Sequence, residues 1–122
     1  MLTLTDLEQA AELIRNVVPP TPQYAWPKLA ARAGCKAWVK HENHTPTGAF
    51  KVRGGLIYMS ELAHAGAAPR GVISATRGNH GQSIALAAHR VGIPATIYTF
   101  RQLARPERVD AIVRCDGRRI RR

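Results

Sequence analysis

KHENHTPTGAFKVRGG, residues 40–55, decides how the rest of the chain is read. A compact strand signal at Ala37–Val39 gives way to a polar, turn-rich run over Asn43–Gly48. Apolar residues then recur at helical spacing: Phe50, Leu56, Ile57, Met59 and Leu62, closed by Gly66. Lys51 therefore falls just past a Thr45-Pro46-Thr47-Gly48 turn and near the start of a helix. A lysine in that place can be held in a cleft, which covalent amine chemistry with a carbonyl requires. Spacing alone equally allows a solvated surface lysine. The neighbours Phe50 and Arg53-Gly54-Gly55 favour the cleft.

Upstream, Thr5 and Glu8 have the spacing of a capping box, with Leu7, Ala10, Ala11, Ile14 and Val17 following on one helical face until Pro19-Pro20. Thr21–Pro27 reads as a loop with Thr21-Pro22 as a structural entry turn, and Leu29–Ala33 as a short helix stopped by Gly34. Downstream, Val72–Ala75 and Ala95–Tyr98 are strand signals. Between them Gly78–Val91 has the composition of a helix ended by Gly92 and Pro94. Strands alternating with helices through short connections predict an α/β fold with a parallel sheet. The strands are apolar on both faces, as a sheet covered by helices should be.

The turn Ser74–Ser83, SATRGNHGQS, lies between a strand and a helix. Such a turn aims backbone N–H groups at one point and suits an anion. Its glycines, Gly78 and Gly81, equally serve a tight connection, with Asn79 as a helix cap.

The lysine stretch and this turn, in this order, resemble the threonine/serine dehydratases. These are pyridoxal-phosphate enzymes of the tryptophan-synthase-β fold group, known as fold type II. The resemblance covers about Val18 to Tyr98. It implies a parallel α/β sheet with covering helices, forming an incomplete part of a two-domain enzyme that converts L-threonine or L-serine to a 2-oxo acid and ammonia. Lys51 would be the catalytic lysine that joins pyridoxal 5'-phosphate covalently and then takes the α-proton, its pKa lowered by burial beside cationic or apolar groups. Phe50 would lie near the pyridine ring and the Thr47-Gly48 turn would orient the lysine. Asn79 would sit beside the ring hydroxyl, and Thr76, Arg77, Gly78, Asn79 and His80 would receive the substrate carboxylate. Arg77 departs from the small residue that many relatives carry there. It points either to solvent or to a second substrate carboxylate, as in 3-hydroxyaspartate, and it leaves no reactive serine for racemisation. The resemblance also implies a small amino-acid substrate and a homo-oligomer of the intact protein.

Composition bounds the alternatives. A chain of 122 residues that is 45% hydrophobic builds one modest core. There is no leader and no apolar run of membrane length, so a cytoplasmic setting without membrane attachment is expected. Cys35 and Cys115 show no paired spacing. His41-Glu42-Asn43-His44 lacks the further ligands a metal site needs, so no metal is expected. His64 and His89 read as ordinary surface residues.

The net charge of +10 is uneven. Residues 1–100 carry ten basic and five acidic side chains, whereas 101–122 carry eight arginines against Glu107, Asp110 and Asp116. With no aromatic interleaving, this tail does not predict nucleic-acid binding. A basic binding module or a non-catalytic remnant is the alternative of a different class. Residues 1–100 are read as the family's N-terminal part and 101–122 as an arginine-rich tail foreign to it. Choosing permitted codons for Thr99 through Arg119 and reading one nucleotide later yields a Pro-Ser-Gly-Asn-Ser stretch of the kind relatives carry, which points to a frame change near Tyr98. The family's glycine-rich phosphate cup and its partner for the pyridine nitrogen are missing after Tyr98. The 122 residues alone are therefore expected to be inactive, with a tail that is disordered or loosely helical.

Overall fold

The computed structural model describes residues 1–99 and the backbone of 112–115. Helix α1 (Leu4–Arg15) begins two residues earlier than the Thr5 capping box predicts. The cap is Thr3: its Oγ1 accepts the Asp6 N–H at 3.2 Å, and Asp6 accepts the Thr3 N–H at 2.7 Å. Aspartate closes this box as well as glutamate does, because either carboxylate reaches back to the cap N–H. Only the C-terminal half of α1 packs inward, through Leu13 and Ile14, while Leu7 stays exposed.

The segment read as a loop after Thr21 contains a strand, β1 (Gln23–Ala25). It pairs antiparallel with β2 (Trp38–Lys40), matching Gln23 to Lys40 and Ala25 to Trp38. This ladder stands apart from the main sheet, so the first strand signal does not join the parallel layer. Between the two strands lies α2 (Pro27–Ala33), with proline in its first turn and Gly34 ending it at φ +69°. Only glycine adopts that left-handed conformation without strain.

Helix α3 (Val52–His64) buries Val52, Gly55, Leu56 and Met59 on one face. Strand β3 (Val72–Thr76) pairs parallel with β4 (Ala95–Thr99), and α4 (Asn79–Arg90) connects them. The parallel pair predicted from the sequence is therefore present. Strand β5 (Ile112–Cys115) adds to β4 antiparallel, with Tyr98 opposite Ile112 and Ala95 opposite Cys115. At these four residues the tail is extended and paired, contrary to the expectation of disorder or loose helix, because the free edge of β4 offers backbone partners to an extended segment. The rest of that expectation concerns residues outside those described.

Val18, Val52, Leu56, Met59, Ala87, Ala88, Ile93 and Ala95 form the core, where α3 packs on α4 and α4 packs on the sheet. The small side chains of Ala87 and Ala88 let the helices approach closely. Helix cover lies on one face of β3 only: Ile73, on the other, is 76% exposed among the described residues. That departs from the expectation of a sheet covered on both faces. No helix of the described residues is long and apolar enough to cross a membrane.

Candidate active site

The lysine stretch folds as a series of local hydrogen bonds. Glu42–His44 make one 3-10 turn. Thr45, buried, then organises the loop: its Oγ1 accepts the Ala49 N–H at 2.9 Å and donates to the Ala49 carbonyl at 2.9 Å. Its own carbonyl accepts the Gly48 N–H at 2.9 Å, and Gly48 takes φ +66°. The loop thus turns on Thr45 and Gly48, while Thr47 contributes a longer contact to the Ala49 carbonyl at 3.4 Å. Lys51 is the N-cap residue of α3, one position outside the helix, with φ −61° and ψ −22°.

An ionic clamp brackets this loop. Arg53 donates from Nε to Glu42 Oε2 at 2.7 Å and from Nη2 to Oε1 at 3.0 Å, a bidentate pair. The Thr21 hydroxyl donates to Glu42 Oε1 at 2.6 Å and accepts Lys40 Nζ at 2.7 Å. The hydrogen bond from Arg53, above all, holds the Glu42 carboxyl at about 2; burial opposes, and Thr21 and Lys40 assist. The same pairing pushes the Arg53 guanidinium up. Thr21, read from sequence as part of an entry turn, is thus tied to the lysine segment. Glu42 stands eleven residues before Arg53, on opposite sides of Lys51, and only the loop's fold joins them.

A cavity of about 670 Å³ opens beside α3. Phe50, Lys51, Arg53, Gly54, Gly55, Tyr58, Met59, Val72, Ile73, Ser74, His80 and Ile84 line it. Of the residues singled out in the sequence, Phe50, Lys51 and His80 meet here. Thr76, Arg77, Gly78 and Asn79 lie on the adjoining turn and are not among the lining residues. The Thr76 hydroxyl is engaged within the turn, accepting the Gly78 N–H at 3.0 Å. Gly78, rather than Asn79, is the N-cap of α4, and no side chain caps the helix. Its φ of 172° is extended backbone open to any residue. Gly81 is glycine for a different reason: a Cβ there would lie 2.7 Å from Ile97 Cγ2 and press on Thr76 Cγ2, so close helix–strand packing requires its absence. Tyr58, Ser74 and Ile84 were not foreseen as lining residues; helical spacing from Phe50 and Lys51 would have brought Tyr58 into view.

The lining suits a flat aromatic aldehyde at its ring end. One primary amine, Lys51, shares the space with aromatic and aliphatic walls from Phe50, Tyr58 and Ile84, and the volume lies in the usual range for small-molecule sites. Comparison with known proteins agrees. The family described as pyridoxal-phosphate dependent enzyme matches residues 14–120. L-Threonine ammonia-lyase of Thermotoga maritima is 40% identical over 97 residues, covering 80% of this chain and 24% of that protein. L-threo-3-Hydroxyaspartate ammonia-lyase of Saccharomyces cerevisiae is 38% identical over 95 residues, covering 78% of this chain and 29% of that protein. The crystal structure of a pyridoxal 5'-phosphate-dependent aspartate racemase superposes with a TM-score of 0.70 at 30% identity, covering 83% of this chain and 32% of that one. The chain spans under a third of the length of these relatives. An exposed lysine lining a cavity with residues of α3, β3 and α4, together with these matches, has one reading: the chain belongs to the pyridoxal-phosphate-dependent enzymes of fold type II.

Proposed function

We propose that this chain provides the lysine-bearing part of an ammonia-lyase acting on L-threonine or L-serine. The observation that carries the reading is that Lys51 and His80, from the two sequence stretches singled out, line one cavity. Lys51 would hold pyridoxal 5'-phosphate through its amine, beside Phe50 and within reach of the Asn79 turn. Bound there, the cofactor's ring supplies a sink for the electron pair left when the α-proton departs.

The chain's own groups account for the rest. Lys51 Nζ, lining the cavity, would take the α-proton of the bound substrate. The first-turn N–H groups of α4, at Asn79 and His80, face outward from the helix ladder and receive the substrate carboxylate, favoured by the positive end of the helix. Phe50, Tyr58 and Ile84 offer apolar surface to the cofactor's ring. Loss of the β-hydroxyl followed by hydrolysis gives a 2-oxo acid and ammonia.

A second reading, a substrate with a second carboxylate, is favoured by Arg77 in the carboxylate turn and by similarity to a hydroxyaspartate ammonia-lyase. Borohydride reduction of the chain treated with pyridoxal 5'-phosphate tests the main proposal. The label should fall on Lys51 rather than Lys28, Lys36 or Lys40, and Lys40 Nζ is already committed to Thr21. Equal labelling of all four lysines, by peptide mapping, removes the assignment.

A further inference from the structure

We infer that Ser83 is a positioning residue for Lys51, locking the lysine's backbone to the helix that carries the Asn79 turn. The inference rests on the cofactor-lysine reading of Lys51 and names the contact that sets its place.

Ser83 is 1% exposed, and its hydroxyl donates to the Lys51 carbonyl oxygen at 2.7 Å across 32 residues of sequence. A helical serine commonly returns its hydroxyl to a carbonyl one turn back in its own helix. This one crosses to α3 instead. The acceptor matters because Lys51 is the N-cap residue of α3 and its carbonyl takes the helix's first hydrogen bond. The Lys51 carbonyl also accepts the Gly55 N–H at 3.2 Å, so the first turn of α3 is closed from within and pinned from outside at one oxygen.

Gly55 makes the contact possible. A Cβ on it would fall on Ser83 Oγ, with the Ser83 carbonyl oxygen at 3.1 Å and carbonyl carbon at 3.3 Å. The hydroxyl thus occupies the space that a side chain at Gly55 would take. Lys51 stands four residues before Gly55, and Asn79 four residues before Ser83. Each site residue lies one helical turn from the helix–helix contact, on the same face as its contact residue. The Gly55–Ser83 junction therefore fixes the separation of the two N-termini between which the proposed chemistry takes place. A displacement of about 1 Å at a reacting group costs about 10²-fold in rate, so a lysine on a frayed first turn would lose its advantage over surface lysines.

Pyridoxal 5'-phosphate is the probe. The purified chain, Ser83→Ala, Ser83→Cys and Ala88→Gly are treated with it and with borohydride, which converts the amine–aldehyde adduct to a stable secondary amine. The share of label at Lys51 relative to Lys28, Lys36 and Lys40 is then mapped across pH. Ala88→Gly weakens the same helix in the core without touching Lys51, so it controls for lost stability. Ser83→Ala should lower the Lys51 share by about 3–10-fold, consistent with a loosened rather than abolished position. Ser83→Cys, whose thiol is a weak donor of similar volume, should fall between, and Ala88→Gly should match the native chain. Without cofactor, the Gly55 amide should exchange faster with solvent in Ser83→Ala than in the native chain. Ser83 variants that keep the native share, or an Ala88→Gly loss equal to that of Ser83→Ala, overturn the inference and leave the lysine assignment standing. Even labelling in the native chain removes the lysine assignment first.

Discussion

Replacing Glu42 by Gln tests the clamp around the lysine loop. The carboxylate accepts two hydrogen bonds from Arg53 and one from Thr21, and it is held at about 2 against an ordinary 4.5. A carboxyl held that low favours the folded state by at most about 3 kcal/mol at neutral pH. Both side chains keep part of their surface in water, 19% for Glu42 and 28% for Arg53. Screening brings the expected loss on Glu42→Gln to about 1–2 kcal/mol. Because folding lowers this pKa, the contribution is complete above about pH 4.5, drains as the pH falls, and is gone below about pH 2. Urea unfolding followed by Trp26 and Trp38 fluorescence measures it. The native chain should be the more stable at neutral pH, with the gap to Glu42→Gln narrowing through that acid window. A double-mutant cycle with Arg53→Met should return a coupling of about 1 kcal/mol or more. A gap that is absent at neutral pH, or that stays constant down to about pH 2, refutes the clamp.

Two further substitutions probe the turn and the packing beneath it. Gly81→Ala should destabilise the chain by about 1–3 kcal/mol, since the new methyl has no room against Ile97 and Thr76. Gly54→Ala, with open space around it in a helix, should instead stabilise by about 0.5–1 kcal/mol; thermal unfolding that moves both variants the same way refutes the packing account. Arg77→Ala can be assayed with this segment replacing its counterpart in the Thermotoga maritima relative. It should lower the specificity constant for 3-hydroxyaspartate by about 10-fold relative to that for threonine, in keeping with a lost charged hydrogen bond. An unchanged ratio rules out a second-carboxylate contact.

Local chemistry wrote much of this fold into the chain. Gly34 ends α2 because only glycine takes its backbone angles cheaply, and of the residues read at helical spacing Leu56 and Met59 are on the buried face of α3 while Phe50 is exposed. The order of β3, α4 and β4 follows from alternating patterns with short connections, and so does the parallel pairing. The lysine after the Thr-Pro-Thr-Gly turn was legible for the same reason: everything that shapes the turn lies within a few residues. What the sequence could not settle depends on partners far along the chain. Gln23–Ala25 has little strand character of its own and becomes β1 because β2 offers it a ladder. Ile73 reads as buried by composition, yet its side of β3 has no cover among the described residues. Glu42 looked like part of a weak metal pattern until the loop brought Arg53 and Thr21 to its carboxylate. Ser83 stood only as the end of the Ser74–Ser83 stretch, and it contacts Lys51 because Gly55 leaves a gap between two helices. Turns, caps and periods are short-range consequences of backbone sterics and side-chain shape, so the sequence determined them. Which carbonyl a buried hydroxyl reaches is decided by how helices pack, and only the tertiary structure decided that.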